Sequence, residues 1–225
     1  MNDEGIFLSL SEFLFEKIAG KIMDGSFKVG QKLVENDIQT EFKVSKSPVR
    51  EAFQMLISVG LVEREARRGC FVKRITPEAV VDNYIVRAGL ERIAAKIAYS
   101  KATADSATEL REYYERMADA VTRNDMAGYL KYHDLFQAFF SEKSKNETLA
   151  DICKRIRMQN MWYRTQYMKV DLASDLHTHD GLLSHFEKRD ISDEEFGQLM
   201  EAHIQVGLTN FMKFYSVPEA DKGNG

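Results

Sequence analysis

A chain of 225 residues, 44% of them apolar, is long enough to bury a core in each of two domains. Its net charge of −4 excludes a protein that packages nucleic acid through bulk positive charge. No apolar run is long enough to span a bilayer, Asp3 and Glu4 stand where a signal peptide would be basic, and Cys70 and Cys153 lack metal-type spacing. The expectation is a reduced cytoplasmic protein with no membrane partner. The charge is unevenly divided. Residues 1–75 carry 12 Lys/Arg against 11 Asp/Glu, and residues 76–225 carry 19 against 24.

In chain order, Phe13, Leu14, Ile18 and Ile22 form a helical stripe that stops at Asp24-Gly25. A turn around Lys28-Val29-Gly30 follows, then a short helix carrying Ile38 and Phe42. The next helix opens with Lys43, Lys46 and Arg50 and the hydroxyls of Ser45 and Ser47. Its rear face is Val49, Phe53, Leu56 and Ile57, and Pro48 fits its first turn. Such a helix start suits a phosphate backbone and the base edges beside it. Leu61–Arg64 and Cys70–Lys73 read as two short strands around Arg67-Arg68-Gly69. Three helices and a hairpin in this order make a winged helix-turn-helix, whose second helix docks in the major groove. The bland alternative is a solvated basic helix followed by a surface hairpin.

Five linked motifs carry a resemblance: Ile22-x-x-Gly25, Gly30-x-x-Leu33-x-Glu35, Val44 through Ala52, Gly60-Leu61-Val62 and Arg68-Gly69-x-x-Val72. Together they resemble the DNA-binding domain of the GntR family of bacterial transcription regulators. The resemblance implies major-groove contacts from Ser45, Lys46, Ser47 and Arg50, with Asn36 nearby, and minor-groove contacts from Arg67, Arg68 and Gly69. Two positions depart from the pattern: Val29 replaces a common proline, and Lys46 replaces a common arginine. Lysine is a point charge without a bidentate fork, so Lys46 is expected to hold phosphate where arginine would read guanine.

From Thr76-Pro77-Glu78, a helix start, no alternating strand pattern appears. Val86, Leu90, Ile93 and Ile97 recur at helical spacing, and further helices are expected over about 105–123, 126–143, 147–169, 172–189 and 193–215. Ser192 with Glu195 makes a capping box. The expected architecture is mostly α: a winged helix-turn-helix over residues 1–75, an antiparallel six-to-seven-helix bundle over 76–218, and a disordered tail over 219–225. Lys73 through Pro77 is the expected hinge.

His133, His179 and His203 each fall on the apolar stripe of a separate helix, with Gln137 one turn after His133. A lone inward histidine is usually a hydrogen-bonded core residue, but three converging imidazoles suit zinc, nickel or iron. His177 and His185 fall off their stripes. Residues 76–220 also resemble the FCD ligand-binding domain of one GntR branch, through Arg87-x-x-Leu90-Glu91, Phe136 to Asn146, His179 and Ala202-His203-Ile204. That domain commonly binds a divalent metal through an Asp and a His one turn apart plus two later histidines. Here His133 stands at the Asp position and Gln137 at the first His position; Asp134 points about 100° away around the helix.

Two outcomes stand open. Either His133, His179 and His203 hold a metal with Gln137 or water alongside, or the same pocket takes an organic effector directly. The resemblance implies a small carboxylate effector, for which Arg87 and Arg164 are the candidate partners; the competing role for each is a structural ion pair or a surface charge. Met161-Trp162-Tyr163 and Tyr167 are expected to form core, dimer interface or pocket lining. The function this predicts is a homodimeric regulator, a repressor, that reads an inverted-repeat operator in double-stranded DNA and releases it under effector control. The alternative is a metal-dependent hydrolase or lyase with a His-lined zinc site, although no general base or separate catalytic motif accompanies the trio.

Overall fold

The computed structural model describes residues 8–167 and 171–215. The chain divides into two compact units, Met1–Thr76 and Pro77–Gly225. The stretch expected to form a tail, 219–225, lies outside the described residues, as do the last residues expected of the 147–169 helix and the side chain of Tyr167.

The first unit begins with α1 (Leu10–Met23), opened by a Ser9–Glu12 capping box. Its stripe of Leu14, Ile18 and Ile22 is fully buried, while Phe13 is half-exposed and meets Phe42 edge-on at 6.3 Å. α2 (Glu35–Phe42) and α3 (Lys46–Ser58) are joined by a turn in which Lys43 takes a left-handed conformation. Val49, Ala52, Phe53 and Leu56 of α3 face inward; Ile57 is only partly covered. Strands β2 (Val62–Glu65) and β3 (Gly69–Val72) pair antiparallel, Val62 opposite Val72 and Glu65 opposite Gly69.

A strand the sequence did not announce, β1 (Lys32–Leu33), pairs with the other edge of β3, giving the order β1-β3-β2. Its two residues are too few to show alternation. The turn before it is closed by Gly30 at φ +76°, donating its N–H to the Val72 carbonyl. Leu33, Leu61, Val62 and Val72 seal the sheet onto the helices.

The second unit contains seven helices among the described residues: α4 (Pro77–Ser100), α5 (Ala104–Thr122), α6 (Met126–Lys143), α7 (Glu147–Tyr167), α8 (Leu172–His177), α9 (Asp180–Lys188) and α10 (Asp193–Tyr215). α4 packs along α10, α5 against α6, and α6 and α7 against α4. Close approach of α4 and α10 depends on glycine. A Cβ on Gly197 would lie 3.1 Å from the Arg92 carbonyl oxygen, and one on Gly207 would lie 3.1 Å from the Tyr84 ring. Around Tyr99, which stacks on Phe196 at 4.3 Å, the rings of Phe139, Phe140 and Phe186 complete an aromatic core. Trp162 and Tyr163 are buried, so the aromatic segment of α7 contributes core.

One expectation is corrected. The span 172–189 is two helices, because the chain breaks at Thr178-His179. There the Asp175 carbonyl accepts from the Thr178 hydroxyl at 2.7 Å and from the His179 imidazole at 2.9 Å instead of continuing the helical ladder. On α4 the helical stripe divides: Leu90 and Ile97 pack against the core cluster of Ala94, Leu149 and Cys153. Val86 and Ile93 are about half exposed, while Tyr84, Arg87, Ala88, Glu91, Ala94, Ala95 and Ala98 are buried.

Candidate DNA interface and effector pocket

In the first unit, Ser45 caps α3 by position but gives no side-chain bond to the helix, and the N–H groups of Lys46 and Ser47 have no acceptor among the described residues. Two donors and a partial positive charge therefore point out of the protein beside exposed Ser45, Lys46, Ser47 and Arg50. The wing tip supplies exposed Arg67, Arg68 and Gly69, with Arg67 at φ +62° and Gly69 at φ +110°. Between α3 and the wing runs a groove lined by Arg50, Gln54, Arg64, Arg67 and Arg68. The structure thus gathers the expected set, except that Asn36 lies on α2, its Oδ1 accepting from Gln39 at 3.2 Å.

Glu35 is the residue that reasoning from the sequence missed. Its two carboxylate oxygens each accept from Arg50 Nε at 3.1 Å, and Lys46 Nζ lies 3.7 Å away. Arg68 is held by Glu65, and the Ser47 hydroxyl donates to Glu51 at 3.1 Å. Lys46, Ser47, Arg50 and Arg68 thus each have an acidic neighbour, in keeping with a unit close to neutral.

In the second unit, Arg87 from α4, His133 and Gln137 from α6, Arg164 from α7, Asp175 from α8 and His203 from α10 line one small pocket. His179, fully buried, lies behind it; its ring is 5.1 Å from that of His133 and 4.5 Å from that of His203. Burial drives the His179 pKa down to about 4. Burial also pulls His133 and His203 well below the ordinary histidine range, helped by Arg164 beside the first and by His179 and Arg87 beside the second. All three are neutral at pH 7.

The trio is brought together, yet each Nε2 meets an N–H donor. Gln137 Nε2 lies 3.3 Å from that of His179 and 2.7 Å from that of His203, and Arg164 Nη1 lies 3.3 Å from that of His133. No cluster of three or more His, Cys, Asp or Glu among the described residues is arranged to hold a metal ion. Asp134, half-exposed, lies 3.8 Å from Arg157 rather than near the imidazoles. His177 is exposed, and His185, partly exposed, pairs with Asp190 at 2.6 Å.

Neither candidate arginine is a surface charge: each is buried, lines the pocket and makes an ion pair. Arg164 Nη2 lies 2.7 Å from Asp175 Oδ2, which also accepts from the Tyr129 hydroxyl at 2.7 Å. Burial opposes the charge on Asp175, and the Arg164 guanidinium overcomes it, leaving its carboxyl below the usual carboxylate range. Arg87, 5% exposed, reaches Glu91 through Nε at 3.4 Å, with Arg157 3.8 Å from the same oxygen. Three buried guanidiniums therefore face two interior carboxylates, Glu91 and Asp175.

Known families match both units. The signature described as "Bacterial regulatory proteins, gntR family" matches residues 10–72, and that of the FCD domain matches residues 82–206. The chain belongs to the gntR family of bacterial regulatory proteins, in the branch with an FCD domain. It is a DNA-binding transcriptional regulator, and the hydrolase or lyase alternative finds no support in that membership.

It is similar to the HTH-type transcriptional repressor RspR of Escherichia coli, 26% identical over 180 residues that cover 78% of this chain and 77% of that one. It is also similar to the uncharacterized HTH-type transcriptional regulator YdhC of Bacillus subtilis, 24% identical over 63% of this chain and 64% of that one. In structure it resembles E. coli McbR/YncC, with a TM-score of 0.79, 19% identity, and coverage of 93% of this chain and all of the other. No helix among the described residues is long and apolar enough to cross a membrane.

Proposed function

We propose that this regulator is a cytoplasmic repressor. It binds an inverted-repeat operator as a homodimer and releases it when a small carboxylate enters the pocket of the helical unit. The single observation that carries the effector reading is Arg87: buried, lining the pocket, and engaged by protein only through Nε. A guanidinium whose terminal amino groups meet no acceptor among the described residues is suited to a ligand carboxylate. Arg87 and Arg164 line the pocket with one carboxylate, Asp175, an imbalance that favours an anion there.

A dimer is supported by the outer face of α4, where Ile85, Val86 and Ile93 are 63%, 52% and 49% exposed. Ile85 and Ile93 share one face with Gly89, a set that a second copy would cover. Two recognition helices about one DNA turn apart would then read the two half-sites. The effector need only favour one arrangement by about 1–3 kcal/mol to give a useful switch.

The test is selection from a random duplex pool, followed by anisotropy titration of the winning sequence with a panel of small organic acids. A salt-sensitive, palindromic preference relieved by one acid is expected. No sequence preference, or a selected site that no acid releases, overturns the reading.

A further inference from the structure

The imidazoles of the pocket have fixed tautomers. His179 donates its Nδ1–H to the Asp175 carbonyl at 2.9 Å, and His203 donates its own to the Thr178 carbonyl at 3.2 Å. A carbonyl only accepts, so each proton is on Nδ1 and each Nε2 keeps a lone pair. Both lone pairs converge on a single atom, the side-chain nitrogen of Gln137. A carboxamide nitrogen carries two hydrogens, one for each. Turned the other way, the amide would set an oxygen lone pair against two nitrogen lone pairs. His133 Nε2 is answered separately by Arg164, a donor that cannot accept.

Carbonyl-anchored imidazoles are the usual outer support of a metal centre, yet a dication does not fit here. The lone pairs that would bind it are already occupied by N–H donors, those of His179 and His203 by Gln137 and that of His133 by Arg164. Asp175, the carboxylate of the pocket, is committed to Arg164 and Tyr129. Two guanidiniums, Arg87 and Arg164, line the same space and would repel a cation. Gln137 Oε1 remains buried without a partner, an acceptor left over for a ligand hydroxyl or N–H.

We infer that this regulator reads its effector without a metal: the carboxamide of Gln137 takes the place of the cation, tying His179 to His203, while Arg164 covers His133. This rests on the effector reading above. It also says what that pocket recognises, an organic anion held directly by guanidinium and amide groups. It follows that the absence of a metal turns on one side chain. Gln137→His would present a third imidazole to His179 and His203, and Gln137→Glu, nearly the same shape, would present a carboxylate to them; two His with a third His or a Glu are complete zinc sets.

The test uses the full chain purified without a histidine tag. Wild type, H179A, Q137H, Q137E and Q137E/H179A are equilibrated with zinc or nickel chloride and gel-filtered. Metal content and Tm are then measured. Wild type should retain no stoichiometric metal and show no metal-dependent rise in Tm. Q137H or Q137E, whichever folds, should retain metal and gain Tm, and Q137E/H179A should lose the gain. Stoichiometric metal on wild type that disappears in H179A overturns the inference, as does failure of both folded single variants to bind. Failure of the effector reading looks different: no organic acid releases DNA, whatever the metal result.

Discussion

Arg50 Nε in α3 lies 3.1 Å from each carboxylate oxygen of Glu35 in α2, so the side chain at the centre of the recognition face is neutralised by the helix in front of it. The pair is more than half exposed on the arginine side, where ion pairs contribute only about 0–1 kcal/mol. DNA can therefore exchange Glu35 for phosphate or guanine at small cost. Glu35→Gln should raise nonspecific DNA affinity a few-fold, roughly the factor that a pair of this strength represents, and steepen its salt dependence. Arg50→Ala should instead weaken specific binding by about 1–3 kcal/mol and leave the Tm unchanged. Anisotropy titrations over a salt series read both. Equal loss on specific and random DNA in Arg50→Ala would assign Arg50 to phosphate rather than bases.

The wing offers a separation of backbone from charge. Arg67 adopts φ +62°, a region that costs an ordinary residue about 1–2 kcal/mol and glycine almost nothing. Arg67→Gly should keep the hairpin intact, with Tm unchanged or higher, while reducing the slope of log affinity against log salt by about 1. Gly69→Ala, at φ +110°, should lower stability by about 1–3 kcal/mol with no loss of charge. Thermal unfolding alongside DNA titration distinguishes the two.

Stability of the helical unit should depend on pH through its buried imidazoles. The His179 pKa is lowered to about 4, chiefly by burial, against about 6.5 in an unfolded chain. The unfolded state therefore binds more protons between these values. This contribution is complete above pH ~6.5, declines as the pH falls toward 4, and is gone below it. His133 and His203, shifted in the same direction, steepen the loss. Tm measured from pH 7.5 to 4.5 should fall, with a shallower slope in His179→Asn. A flat profile would contradict neutral buried imidazoles.

Arg164 and Asp175 form a buried pair with Tyr129 as third member. Removing one partner leaves the other charge unpaired, so Asp175→Asn should cost about 3–5 kcal/mol. Denaturant unfolding of the helical unit reads it, and a change below 1 kcal/mol would mean that solvent already reaches the pair.

Charge on the outer face of α4 should break self-association. Ile93→Glu is expected to shift the protein to monomer in sedimentation velocity without lowering Tm, because Ile93 is 49% exposed. Operator affinity should fall more than tenfold if binding needs both half-sites.

How much was legible follows from which interactions are local. The recognition helix could be read because cap position, proline in the first turn, cations and an apolar rear face all lie within Ser45–Leu56. α4 could be read as a helix but not oriented. Its inward face carries four alanines, Arg87 and Glu91; alanine is inward because α10 comes close at Gly197 and Gly207, and the charges are tolerated because they are paired. Hydrophobic spacing is blind to both conditions. The break at Thr178-His179 has neither glycine nor proline to mark it.

The amino-acid order alone settled the helix-turn-helix with its wing and the helical second unit. Only the folded chain decided that Glu35 covers Arg50, that Arg164 meets His133 and Asp175 together, and that one carboxamide answers two imidazoles. Periodicity and capping act within a few residues and leave a trace in sequence. Which nitrogen carries a proton, and what stands opposite it, depends on side chains up to 66 positions apart, as in Gln137 and His203.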